Sequence, residues 1–303
     1  MGKRTTRAKR LAQQVAPVVG EYLGVRTPDD PAPPPGGPLD HDAWNDAELG
    51  VYWLGQATVL IRVGGVTILT DPHFGEHAAP RVAGRPTGRR RSTALPMSID
   101  DLPPVDVVLL SHAHMDHWET ESLRRLARPE TEAVIPRRTR RLLPANGRRF
   151  GRIVEAHWGA TVGARGLSLT ALKPRHWGAR YLVDWWRGYN AYLIEAGGRR
   201  VVFAGDTGDT DAFDGLGGVD LAVLGIGSSY EPWDKHHASP EQAAGMAERM
   251  GARLVAPVHH GTFHDPSEGR DEPLERFLRA WPADRTVCAR VGETHVEARA
   301  GGG

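Results

Sequence analysis

Ser111-His112-Ala113-His114-Met115-Asp116-His117 places three histidines and one aspartate within six consecutive positions. The run before it, Val105 to Leu110, is apolar except for Asp106 and reads as a short buried strand. Leu123, Leu126 and Ala127 then recur at helical spacing. The cluster is therefore expected in a strand-to-helix turn, at the end of a strand where α/β folds hold ligands. Neutral imidazole nitrogen and carboxylate oxygen are the donors that zinc-like ions take. His112 and His114 flank Ala113 and can face one ion. Asp116 and His117, at the entry to the helix, can reach a second. Two ions about 3.5–4 Å apart can share a hydroxide and clamp a displacement reaction.

Working outward, the remaining ligands are sought where other strands end. Val51 to Leu54, Ala57 to Val63 and Val66 to Thr70 read as strands, with Gly64-Gly65 as a hairpin turn. Asp71, just after the third, is placed to orient a ligand histidine through its second ring nitrogen. Leu167 to Leu172 leads into His176, a candidate third ligand for the first ion. The hairpin of Tyr192 to Ala196 and Arg200 to Ala204 ends at Gly205-Asp206-Thr207, where Asp206 can bridge both ions. Leu254 to Val258 delivers His259 and His260. His259 directly follows the strand and is chosen to complete the second ion. Ser239-Pro240-Glu241 starts a helix, with His237 just before its cap.

The chain has 303 residues, is 40% hydrophobic and 25% charged, and carries a formal net charge of +1. That suits one sizeable core and gives no global field for nucleic acid. The single cysteine, Cys288, permits no internal disulfide. Residues 1–26 form a basic segment with helical spacing, read as a loose tail or as a segment touching anionic lipid. Residues 27–40 are a proline-rich linker expected to lack regular structure, and 41–300 are expected to form the folded domain that carries the cluster. No signal peptide or membrane-spanning run is seen, so a cytoplasmic location, with peripheral membrane contact left open, is expected. His73 to Leu95 reads as a long arginine-rich loop that could frame a channel for an anionic substrate. The loop holding Tyr181, Trp185, Trp186 and Tyr189 reads as a substrate-lining aromatic wall.

Together, Thr70-Asp71-Pro72, His112-x-His114-x-Asp116-His117, His176, Gly205-Asp206-Thr207 and His259 resemble the metallo-β-lactamase superfamily. The resemblance implies an αββα four-layer sandwich, an α+β fold with two metals at one edge of its sheets. Several strings resemble the branch of N-acylphosphatidylethanolamine-hydrolysing phospholipase D. They include Leu69-Thr70-Asp71-Pro72-His73-Phe74, Arg175-His176-Trp177, Phe203-Ala204-Gly205-Asp206-Thr207-Gly208, Tyr230-Glu231-Pro232 and His259-x-Gly261-Thr262-Phe263. This implies His112, His114 and His176 on one ion, Asp116, His117 and His259 on the other, and Asp206 between them. It also implies that His237 lies near the reacting phosphate. Met115 and His260 depart from residues usual in that branch, and the 179–188 loop differs. The ascorbate-6-phosphate lactonase-like branch shares the ligand pattern.

The expected activity is phosphodiester hydrolysis, with a phospholipid as one candidate substrate, by attack of a metal-bridging hydroxide, with Asp116 and His237 as catalytic residues. Trp177, Trp185, Trp186, Tyr230 and His260 are read as substrate contacts. The metals are expected to be Zn²⁺, with Mn²⁺ or Fe as alternatives. A lactonase or esterase, or a metal-bearing scaffold without activity, stays open, as does the oligomeric state.

Overall fold

The computed structural model describes residues 30–82, 85–181, 184–231, 233–263 and 268–298. The basic segment 1–26 lies outside the described residues. The amino-terminal part gives β1 (Ala47–Gly55), β2 (Thr58–Val63), β3 (Val66–Thr70), β4 (His77–Val82), β5 (Arg85–Arg90), β6 (Val107–Leu109), β7 (Glu132–Pro136) and β8 (Arg152–Ala156). The remainder gives β9 (Thr161–Ala164), β10 (Leu167–Leu172), β11 (Ala191–Ala196), β12 (Arg199–Phe203), β13 (Val219–Gly225), β14 (Ala252–Val258) and β15 (Thr294–Ala298). The helices are α1 (His41–Asp46), α2 (Thr120–Leu126), α3 (Pro240–Arg249) and α4 (Glu272–Ala280).

Period-two alternation sorts the apolar residues into layers. Along β1, Leu49, Val51 and Trp53 enter one buried cluster, and Tyr52 and Leu54 enter another. Along β12, Val201 and Phe203 join the first cluster, whereas Val202 joins a third. The first cluster lies between a seven-stranded sheet, ordered β15-β1-β2-β3-β6-β7-β8, and a six-stranded sheet, ordered β14-β13-β12-β11-β10-β9. Leu123 and Leu126 of α2 cover the outer face of the larger sheet. Met246 of α3 and Phe277 of α4 cover that of the smaller. Both faces of each sheet are thus buried, which gives four layers in αββα order. α3 begins with a reciprocal capping box, Ser239 Oγ accepting from the Gln242 backbone at 3.2 Å and Gln242 Oε1 from the Ser239 backbone at 2.9 Å.

Strand direction decides where the loops meet. β3 and β6 are parallel, as are β12, β13 and β14. β10 reaches the same direction as β12 through two antiparallel pairings with β11. The turns after β3, β6, β10, β12 and β14 therefore all leave carboxyl ends, and their side chains gather at one edge of the sandwich.

One expectation changes. The stretch His73 to Leu95 is not an open loop: β4 and β5 pair there as a separate two-stranded sheet. Its irregular register and prolines break the alternation that would have advertised strands. The proline-rich residues from 30 onward are docked on the domain. Ala32 exchanges backbone hydrogen bonds with Ser92 and Ala94, Gly36 donates to Val291, and Leu39 is buried.

Candidate metal centre

The turn after β6 closes at once, the His117 and Trp118 backbones both donating to His114 O. This fold-back places four donor side chains side by side. His112 Nε2 lies 2.8 Å from His114 Nδ1, and His176 Nε2 lies 3.2 Å from the same atom. Asp206 Oδ2 is 3.7 Å from His112 Nε2 and 3.8 Å from His176 Nε2. On the other side, His117 Nε2 is 3.3 Å from Asp116 Oδ2 and 3.0 Å from Asp206 Oδ2. His259 Nε2 is 3.4 Å from Asp116 Oδ2 and 3.2 Å from Asp206 Oδ1. Three donor groups emerge among the described residues: His112-His114-His176-Asp206 and Asp116-His117-Asp206-His259, with Asp206 in both, and Asp71-His112-His117 behind them.

The donor chemistry fits cations. Imidazole nitrogens held at about 2.0–2.1 Å from a tetrahedral ion sit about 3.3 Å apart. The three facing ring nitrogens are near that spacing, and neutral lone pairs at such a distance repel unless something positive lies between them. His117 Nε2 and Asp206 Oδ1 are buried, and their nearest polar neighbours are the other donors of the cluster, Asp206 Oδ2 at 3.0 Å and His259 Nε2 at 3.2 Å.

The supporting residues fix each ring. Asp71 accepts from the Ser111 backbone at 2.7 Å, and its Oδ2 lies 2.7 Å from His117 Nδ1. This pairing holds the His117 Nε2 lone pair toward the cluster. His112 Nδ1 meets Ser111 Oγ at 2.8 Å, and His176 Nδ1 donates to His236 O at 3.1 Å. Gly205 lets Asp206 approach: a Cβ there would lie 2.5 Å from Ser111 Cβ, and its φ of +56° suits glycine. Asp71, His259 and Gln56 hold φ values of +34°, +63° and +51° without being glycine, so backbone strain concentrates at this site.

Charge divides the two sets. Burial pushes His114 down to about 4, and burial with the neighbouring imidazoles holds His112 and His176 well below the usual histidine value. Those rings are neutral, as ligands must be. Against burial, Asp206 and Asp116 hold His117 well above its usual value, and the same carboxylates raise His259 to about 9. Asp116 and Asp206 stay far below the usual carboxylate range despite burial, because His117 and its neighbours face them.

His237 stands at the mouth of the cluster, its Nδ1 3.9 Å from Asp206 Oδ2 and its ring 5.3 Å from that of His259. Burial lowers it to about 3. Trp177 packs at 4.6 Å on His114 and stacks at 6.0 Å on Trp233, forming an aromatic side to the mouth. Tyr230 lies farther out, its hydroxyl 3.4 Å from Arg89 Nη2. The other expected substrate contacts are placed differently. His260 is buried and turns its ring to Trp53 at 4.8 Å. Trp185 and Trp186 are 49% and 58% exposed, and among the described residues no ring contact ties them to the histidines. Arg90 pairs with Glu76 and Asp30, and Arg91 caps the carbonyls of His73 and Gly75, so these arginines hold their own loop together. A cleft of about 640 Å³ beside His176 is lined by Lys173, Arg175, Tyr189, His236 and Arg249, among others.

Sequence reasoning missed Gln56 and Arg180. Gln56 Nε2 lies 2.7 Å from Asp116 Oδ2 and 2.8 Å from His259 Nε2. A polar residue buried between two apolar strands was its only signal. Arg180 reaches back to the Ala113 and Trp118 carbonyls at 3.2 and 2.9 Å, bracing both ends of the metal turn.

A four-layer sandwich with paired histidine and aspartate sets at one edge defines a metallo-hydrolase of the β-lactamase superfamily. Residues 66–260 match the family described as "Beta-lactamase superfamily domain", and the chain belongs to it. Within the family it resembles the N-acylphosphatidylethanolamine-hydrolysing branch. It is 29% identical over 80% of its length to an uncharacterized Mycobacterium tuberculosis protein, spanning 67% of that protein. It is 29% identical over 73% of its length to N-acyl-phosphatidylethanolamine-hydrolyzing phospholipase D 1 of Caenorhabditis elegans, spanning 66% of it. The mitochondrial enzyme of that name from Saccharomyces cerevisiae is 30% identical over 80% of this chain, which spans only 54% of the yeast protein. Among solved structures, a possible metal-dependent hydrolase of Veillonella parvula superposes with a TM-score of 0.67 at 17% identity, over 83% of this chain and all of that one, 100%. Isothiocyanate hydrolase from Delia radicum gut bacteria gives 0.66 at 19% identity, over 82% and 99%. These two likenesses concern the fold alone.

Proposed function

We propose that this chain is a dinuclear metal-dependent phosphodiesterase of the phospholipase D type, acting on an N-acylphosphatidylethanolamine-like phosphodiester. The observation that carries the reading is the pair of donor sets sharing Asp206. His112, His114 and His176 would hold one divalent cation, and Asp116, His117 and His259 the other. Two such ions, most simply Zn²⁺, would supply an activated water and charge neutralisation for in-line displacement. The names of the nematode and yeast relatives support the phosphodiester as the bond attacked.

The chain's own residues shape that chemistry. Half-buried His237 is neutral at working pH, so it offers one N–H and one lone pair beside Asp206. Its N–H can donate to a phosphoryl oxygen as charge builds there, the role of a preorganised donor. Asp116 Oδ2 lies 3.3 Å from the His117 ring nitrogen and 3.4 Å from that of His259, which keep it ionised, so it would orient the attacking water as an acceptor. Trp177 and Trp233 supply a flat apolar wall for the alkyl side of a substrate. Lys173 and Arg175 line the cleft beside His176 together with Asp209, Asp211 and Asp214, so that cleft presents both signs of charge to a polar group.

For a lipid substrate, the exposed Tyr181, Trp185 and Trp186 are rings of the amphipathic kind that rest at a headgroup layer. Peripheral contact is the form proposed, because no helix among the described residues is long and apolar enough to cross a membrane.

A panel of phosphodiesters, phosphorylated lactones and carboxylic esters given to purified, zinc-loaded protein tests the reading. Phosphodiester turnover that disappears in His237→Ala supports it. Turnover of lactones or esters only would replace the phosphodiesterase by an esterase. Metal uptake with no turnover of any kind would leave a scaffold.

A further inference from the structure

We infer that Gln56 is a positioning residue for the second cation position, acting through the carboxylate of Asp116 and the adjacent ring of His259, which lie 2.7 and 2.8 Å from its amide nitrogen. The inference rests on the two-cation reading above and adds to it a residue outside both donor sets.

Gln56 sits in the turn between β1 and β2, buried and at a left-handed φ of +51°. A glutamine in that conformation is strained, and such strain persists only where surroundings over-determine it. Here they do. The Gln56 backbone N–H donates to Thr262 Oγ1 at 2.8 Å. Its carbonyl accepts from the His259 backbone at 3.0 Å and from Trp53 Nε1 at 2.9 Å. The main chain of Gln56 is thereby fastened to the turn that carries His259.

The side chain completes the connection. An ionised carboxylate only accepts, so the group facing Asp116 Oδ2 at 2.7 Å is the amide N–H of Gln56. That same oxygen is the one that lies 3.3 Å from His117 Nε2 and 3.4 Å from His259 Nε2. Asp116 has no other neutral donor among its described hydrogen bonds, and its side chain is 26% exposed. Without Gln56 it can swing toward solvent. With Gln56 it is held between the two imidazoles. The first position has no counterpart: His112 and His176 are fixed through their own second nitrogens by Ser111 and the His236 carbonyl. Removing Gln56 should therefore weaken one position and spare the other.

Zinc titration of the full chain against a competing chelator reads the two uptake steps separately. Wild type should take up two ions. Gln56→Ala and Gln56→Met should each weaken one step by about 10–100-fold, the usual cost of losing a residue that orients a ligand, and leave the other unchanged. Gln56→Met keeps similar length and volume and adds no charge while removing both N–H donors, so it separates the hydrogen bond from packing. The unaltered step reports that each variant is folded. In an Asp116→Asn background, Gln56→Ala should add little, because both changes act on one interaction. Two unchanged steps in both Gln56 variants would overturn the inference and leave the two-cation reading standing. So would equal weakening of both steps, or full additivity with Asp116→Asn. Failure of wild type to take up zinc would overturn the two-cation reading, and this inference with it.

Discussion

The two halves of the cluster use the same donor types but hold charge differently. His112, His114 and His176 face one another with no carboxylate closer than Asp206, and burial keeps them neutral. Asp116, His117 and His259 are interleaved with two carboxylates, and there the imidazoles keep their protons: His259 is raised to about 9. One half is ready for a cation as it stands. The other balances its carboxylates with protons that a cation must displace. The order of events follows: the first position should fill without regard to pH near neutrality, and the second should respond to pH.

The largest effect expected from breaking this arrangement comes at the residue both halves share. Asp206→Ala removes a donor from each set and should abolish tight uptake of both ions, lowering turnover by more than about 100-fold. Metal analysis after dialysis, alongside steady-state rates, checks this. Retention of two ions would show that the halves are independent.

Asp71→Asn is next. It leaves every donor in place but replaces the charged partner of His117 Nδ1, 2.7 Å away. A loss of about 10–100-fold is expected at the second position only. Equal loss at both positions would mean that Asp71 supports the turn as a whole.

Proton inventory sharpens the contrast directly. A raised histidine holds its proton up to its folded pKa, so zinc uptake below pH 9 must release the His259 proton. Uptake at the second position should tighten as pH rises toward 9. His114, lowered to about 4, has no proton to lose at pH 7. Calorimetry in buffers of different ionisation heats counts the protons at each step. Release confined to the first step would reverse the assignment.

The smallest effect is a control. Ser239→Ala removes the α3 capping box and should cost about 1 kcal/mol of stability, seen as a lower melting temperature. Both uptake steps should stay as they are.

Much of this was legible because strand ends announce themselves. His112, His176, Asp206 and His259 each stand within a few positions of an apolar run, so the sequence told where they would meet once the runs became parallel strands. The layers were read only through the family resemblance; it is the structure that shows β1 and β12 alternating between two buried faces. Gln56 was not legible. Its importance comes from Asp116, Thr262 and His259, far away in sequence, and locally it looks like any polar turn residue. The β4–β5 sheet was hidden by prolines and by bulges that destroy its period. Aromatic density in the sequence does not give direction. Trp177 turns to the histidines, whereas Trp185 and Trp186 turn outward.

The central claim is that two cations sit side by side and share Asp206. Anomalous diffraction from zinc-loaded crystals tests it most directly. Two peaks about 3.5–4 Å apart are expected, one among His112, His114 and His176, the other among Asp116, His117 and His259. A single peak, or zinc bound away from these side chains, would contradict it.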